Sequence, residues 1–244
     1  MSDPPYPPSA ELRTLAAAAW SFRWRVECEA EVRFAALAAR LDALSAPAPL
    51  ADLARRASAD ERRHAAHCAR IAAELGARLP ARPPPPSPVA PPGLAEEDAV
   101  TYELVAACCV AESVSVAVLT RLLGVAVDPP LRAVLRELAT DEVTHARLGW
   151  AHLAVAAARG RSAFLGPHLP AMLRGSIDDD LFDAVTPERE SSALLALGVL
   201  PHAEKRALFV GALEDVIFPG LDGAGVDTGD GRAWLAGVRA APAG

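Results

Sequence analysis

The chain is poor in several things that would each point to a function. Its four cysteines, Cys28, Cys68, Cys108 and Cys109, form no CxxC pair. A zinc ribbon or a rubredoxin-type iron site built from this chain alone is therefore excluded. Lysine occurs once, at Lys205, and the 24 basic residues are outnumbered by 31 acidic ones, for a net charge of −7. That balance argues against a nucleic-acid groove, which needs a clustered basic surface. Only 5% of the residues are aromatic, and the tyrosines are Tyr6 and Tyr102 alone. Met1 to Ala10 carries an acid and prolines where a signal peptide needs basic and apolar residues, so a cytoplasmic protein with reduced thiols is expected. No segment alternates polar and apolar residues as a half-buried strand does.

Hydrophobic residues are abundant, at 52%, enough for a substantial core. Prolines and glycines divide the chain into helical stretches. Ser9 to Leu44 contains neither Gly nor Pro and predicts one long helix. A second run spans roughly Leu50 to Leu75 and is stopped by Gly76. The segment 79–92 holds so many prolines that it can be neither helix nor sheet. In polyproline II geometry its fourteen residues reach about 43 Å, enough to return the chain along a whole helix. A third helix is predicted over Leu94–Leu123 and a fourth over Pro130–Ala158, joined by a short loop. Two helical hairpins joined by one long crossover result, followed by two or three shorter helices in 161–244. One of these is expected over Ala203–Ile217, between Pro201 and Pro219, and Thr186-Pro187-Glu188 reads as another helix start.

The third helix has one charged residue, Glu112, between Leu104 and Thr120. Its length and polarity approach those of a membrane span, but the acids that lead into it and the amphipathic helix after it favour a buried core helix. A carboxylate in the middle of such a helix is costly unless a cation or a hydrogen-bond network neutralises it.

Two stretches repeat. Asp60-Glu61-Arg62-Arg63-His64-Ala65 and Asp141-Glu142-Val143-Thr144-His145-Ala146 share the pattern DExxHA at an offset of 81 residues. The same offset carries Glu31 onto Glu112, each within a CxAE sequence and each thirty residues before the Glu of its motif. Random placement of 16 Glu and 6 His yields about 0.4 ExxH pairs, so two at a fixed offset, with matching partners, indicate a duplicated hairpin. Residues i and i+3 share one helix face, so each ExxH offers a carboxylate and an imidazole to one point. A Glu from each of the other two helices completes a box suited to Fe(II) or Mn(II).

With these motifs, residues 9–160 resemble the ferritin-like superfamily of non-haem di-iron carboxylate proteins. The resemblance implies an all-α fold: a four-helix bundle with the crossover at 79–92, and a C-terminal helical extension, 161–244, packed on it. It implies the metal ligands Glu31, Glu61, His64, Glu112, Glu142 and His145, with Glu61 and Glu142 bridging. Asp60 and Asp141 would each accept a hydrogen bond from a ligand histidine. Glu27 is either an extra ligand or a surface acid. Cys28 and Cys109 either line the metal cavity or act as small buried hydrophobes. His67 and His152 read as capping or surface residues, while His168 and His202 follow no pattern.

The cofactor implied is a pair of Fe ions, with Mn/Fe and Mn/Mn sharing the same ligands, and O2 is the co-substrate. Rubrerythrin is disfavoured by the missing cysteines, and the radical-generating ribonucleotide reductase subunit by Tyr102, about 15 Å of helix from Glu112. Leu138 stands where p-aminobenzoate N-oxygenases have a third histidine. Ferritin proper lacks an extension of this size. The expectation is therefore an O2-activating di-iron oxidase or oxygenase of a small organic substrate, served by an external electron donor and compatible with a homodimer, without nucleic-acid or membrane partners. The alternative is an iron-handling protein, a ferroxidase or peroxide scavenger, with no organic substrate.

Overall fold

In the computed structural model, which describes residues 8–81, 83 and 88–240, the chain is all-helical, with no strand among the described residues. Helix α1 is Ala10–Ala43, with the Ser9 hydroxyl accepting from Leu12 N at its start. Helix α2 is Ala48–Glu74, stopped at Gly76, whose φ of 101° belongs to the left-handed region that glycine tolerates. Helix α3 is Glu96–Val125, with a π-helical stretch at Val105–Glu112. Helix α4 is Pro129–Ala158, capped by Asp128, which accepts from Leu131 N at 2.9 Å. The long helices fall within two residues of the sequence expectation at nearly every end, because caps, glycines and prolines fix those ends locally.

Cross-helix contacts define the packing. Arg13 donates to the Glu74 carbonyl, Ser58 to the Glu31 carbonyl, and Arg55 pairs with Asp42, so α1 and α2 are antiparallel. Thr101 meets His152 and Arg132 donates to the Leu123 carbonyl, so α3 and α4 are antiparallel as well. The two hairpins join where Arg63 meets Asp141 and His67 meets Glu137, α2 running antiparallel to α4. Arg40 of α1 pairs with Glu96 and Glu103 at the start of α3. The end of α2 thus lies beside Arg13 and the start of α3 beside Arg40, 27 residues or about 40 Å apart along α1. Residues 75–95 span that length. Part of the proline segment, 82 and 84–87, lies outside the described residues.

By length and composition α3 could cross a membrane, but Val100, Leu104, Val105, Cys108 and Val110 are buried against protein. Much of the covering comes from the C-terminal region. Leu165, Leu169, Met172 and Leu173 join Phe209, Leu213, Ile217 and Phe218 in a core shared with Tyr102, Val105, Cys109 and Val110 of α3 and Leu153 of α4. Leu169–Gly175 forms α5, residues 202–223 form α6, and Gly229–Ala240 forms α7, with 3₁₀ turns at Ala163–His168, Pro187–Glu190 and Ser192–Leu197. The expected stop at Pro219 does not occur. A π-helical stretch at Leu213–Ile217 precedes it, and this wider winding relieves the clash and missing hydrogen bond that a proline imposes on an α-helix.

Candidate metal centre

Four long helices bring carboxylates and imidazoles to one buried place. On α2, Glu61 and His64 lie one turn apart and both are 0% exposed; on α4, Glu142 and His145 are 2% and 1% exposed. Ligand-type atoms of Glu27, Glu61, His64 and Glu142 fall within 4.8 Å of one another, and so do those of Glu61, Glu112, Glu142 and His145. Glu61 and Glu142 belong to both groups, so each faces two potential ion positions. Glu27 of α1 completes one group and Glu112 of α3 the other.

Each histidine presents its two nitrogens to different neighbours. His64 Nδ1 lies 3.2 Å from Glu61 and 3.8 Å from Glu142, and His145 Nδ1 lies 3.0 Å from Glu61 and 2.9 Å from Glu142. The opposite nitrogens turn outward to the aspartates of the other motif. His64 Nε2 is 3.2 Å from Asp141, and His145 Nε2 is 3.3 Å from Asp60. Without an ion each Nδ1 carries a proton and donates to the carboxylates; with the Nε2 proton still held by an aspartate, an ion in place of the Nδ1 proton would meet the lone pair a metal ligand must present. Arg63 spans the two aspartates, 2.8 Å from Asp60 and 3.0 Å from Asp141, tying the copies together from outside. Phe34 walls the His145 ring, at 5.4 Å between centroids.

Without a cation this arrangement is electrostatically unsatisfied, and the titration of the groups reflects it. Burial, with the nearby Glu61 and Glu142, raises Glu27 well above the ordinary glutamate value. Burial, with Glu142 and Glu61, does the same to Glu112. Burial also opposes charge on Glu61 and on the histidines, but hydrogen bonds from His145 and His64 overcome it and hold Glu61 down at about 2. Glu142 and Glu61 in turn push His145 up to about 12, against its burial, and His64 is raised by the same partners. Protons thus gather where positive charge is wanted. Glu61 Oε1 is buried without a well-oriented hydrogen bond even so. Four oxygen donors and two inward imidazoles fit divalent iron or manganese well.

One ligand expected from the repeat is displaced. Glu31 is not in the cluster: its side chain is 27% exposed and pairs with Arg62 at 2.7 Å. Glu27, one turn earlier and 7% exposed, takes the inward place. The reason is helix register. Ser58 lies level with Glu31, so Glu61, three residues further along the antiparallel α2, lies level with the turn holding Glu27. In the second copy, the residues before Glu112 are wound as a π-helix, which packs more residues into a given length than the α-helical winding of α1. A sequence offset therefore does not transfer a position along the axis. The outward Arg62 opposite Glu31 was the available signal.

The cysteines also redistribute. Cys109 is buried in the core shared with the C-terminal region, and Cys28 is half-buried between Glu27 and Glu31. The thiols that feel the cluster carboxylates are Cys68, one turn beyond His64, and Cys108, one turn before Glu112; burial raises both. Cys108 packs on Gly149, where an added Cβ would stand 2.5 Å from the Cys108 Cβ. His67 pairs with Glu137 near the surface, as expected of a non-ligand. His152, expected at a cap or the surface, is instead buried beside Thr101, because α3 covers that turn of α4. His168 packs on Tyr102 and Phe164, and His202 meets Arg189.

Compared with protein-family models, with curated proteins and with solved structures, the chain shows no match to any of them. The buried cluster, two overlapping sets of glutamates and a histidine that could each hold a metal ion, therefore carries the functional assignment.

Proposed function

We propose that the chain is a ferritin-like four-helix metalloprotein with a dinuclear non-haem centre, and that it is an O2-activating oxidase or oxygenase of a small organic substrate. The observation that carries this reading is the sharing of Glu61 and Glu142 between two ligand groups, each completed by its own glutamate and histidine. A single structural ion has no use for two such sets.

Glu61 and Glu142 would serve both positions, Glu27 and His64 would complete one, and Glu112 and His145 the other. When bound, a pair of iron or manganese ions supplies redox chemistry toward O2. The chain's own residues set the conditions for it. Asp60 and Asp141 hold the proton on each Nε2, and Phe34 shields the His145 ring. Residues 161–240 cover parts of α3 and α4, as a chain that encloses a substrate would need, whereas an iron store needs a polar cavity.

The test is anaerobic loading of the metal-free protein with Fe(II), followed by O2. The expected result is oxidation that stops at two irons per chain and accelerates with an organic substrate. Continued uptake, with many ferric ions accumulating per chain, would establish iron handling instead.

A further inference from the structure

Helix α1 turns Glu27 into the cluster, and residues two positions before and after it point the opposite way, toward solvent. Along that outward face Ala18, Phe22, Arg25, Glu29, Val32 and Ala36 follow one another at steps of four and three residues, the spacing of a coiled-coil seam. The two alanines are exposed, and Phe22 and Val32 are 45% and 51% exposed. With Val26 on the flank, Phe22 and Val32 make up three of the six large hydrophobic side chains exposed among the described residues. The outward face of α2, at Asp52, Arg55, Arg56, Arg62, Arg63 and Arg70, is charged instead. Apolar side chains gathered in one exposed stripe mark a surface that meets another protein surface.

The stripe has a symmetry that selects its partner. Ala18 and Ala36, Phe22 and Val32, and Arg25 and Glu29 each lie equally far from position 27, near the middle of Ala10–Ala43. Two copies of α1 laid antiparallel, with a two-fold axis at that position, therefore match layer by layer. Phe22 of each copy meets Val32 of the other, and the alanines at 18 and 36 let the backbones approach. Arg25 meets Glu29 of the second copy and Glu29 meets its Arg25, so the one charged pair in the seam complements itself. Both are already held on the stripe: Arg25 pairs with Glu29 at 2.9 Å, and its guanidinium lies 5.0 Å from the centre of the Phe22 ring. A parallel arrangement would set Arg25 against Arg25 and Glu29 against Glu29, which is repulsive.

We propose that this face of α1 is an interface between two copies of the chain, joined through antiparallel α1 helices across a two-fold axis. The cluster lies on the far side of each α1, so the interface stands independently of what the cluster binds.

Sedimentation velocity on the full chain, with helix content followed by circular dichroism, tests it for the wild type, Arg25→Glu and Glu29→Arg. The expected result is a wild-type particle of twice 25.5 kDa at roughly 50 μM chain. Each variant brings four like charges together at the axis and dissociates at least about 100-fold more readily, with helix content unchanged. An equimolar mixture of the two variants, in which unlike charges meet again, regains the dimer mass. A wild type that stays monomeric overturns the proposal, as do variants that dimerise as the wild type does, or a mixture of the two that remains monomeric.

Discussion

Replacing Glu112 by Gln separates the two roles that a buried carboxylate plays. In the metal-free protein, burial together with Glu142 and Glu61 keeps the Glu112 carboxyl protonated well above the usual range. Glutamine is nearly isosteric with that protonated acid, so the metal-free Glu112→Gln protein should melt within about 2 °C of the wild type at about pH 4.5, a difference of less than about 1 kcal/mol, and above it at neutral pH, where only the wild type must keep protonated a carboxyl that ionises on unfolding. Metal binding should suffer instead, since one group of donors loses its own glutamate. A divalent ion at one hundred times its dissociation constant stabilises the wild type by about 2.7 kcal/mol, which for a chain of this size is a rise in Tm of roughly 5–11 °C. A tenfold to hundredfold weaker site would lose about half or more of that rise. Differential scanning calorimetry of metal-free and Mn(II)-loaded samples measures both. The pH dependence gives a second reading. A carboxyl whose folded pKa is raised contributes stability that is complete below its unfolded value of 4.5 and is lost as pH rises through the folded value. The metal-free wild type should therefore weaken with rising pH above 4.5 by a component that Glu112→Gln lacks. An equal metal-induced rise in Tm for wild type and Glu112→Gln would refute the reasoning.

The structure and the sequence repeat disagree over α1, and a pair of variants decides between them. Glu27→Gln should weaken metal binding at least tenfold, whereas Glu31→Gln, which removes only a surface pair with Arg62, should leave metal affinity unchanged and cost at most about 1 kcal/mol of stability. Gly149→Ala should destabilise by about 1–3 kcal/mol in chemical denaturation, because its Cβ would meet the Cys108 Cβ at 2.5 Å and the Leu104 carbonyl oxygen at 2.9 Å. His152, held neutral by burial with its pKa lowered from 6.5 to about 4, should make the fold lose about 3 kcal/mol as pH falls through that window, and His152→Gln should flatten that slope in denaturation curves taken at pH 4 to 7.

The parts of this account that could be read from the sequence are those that depend on local chemistry. Helix ends followed from Ser9, Gly76, Asp128 and the prolines, each of which acts within a turn of itself. Glu61, His64, Glu142 and His145 were legible because i and i+3 spacing fixes a helix face wherever the helix sits. The aspartates were legible as partners of the histidines, but their crossing between motifs depends on the antiparallel meeting of α2 and α4. The repeat favours Glu31 over Glu27, because counting residues assumes equal rise along both hairpins. The π-helical winding before Glu112 breaks that assumption. Pro219 misled for a similar reason, since a π-helical stretch just before it lets the helix continue.

The central claim is that two glutamate-histidine groups hold two metal ions, and the metal content of the freshly purified protein tests it most directly. Elemental analysis should give two ions of iron, of manganese, or one of each per chain, falling to fewer than one in a variant carrying both Glu61→Ala and Glu142→Ala. A wild-type protein that holds no transition metal as purified, and takes up none when incubated with Fe(II) or Mn(II) in the absence of O2, would contradict it.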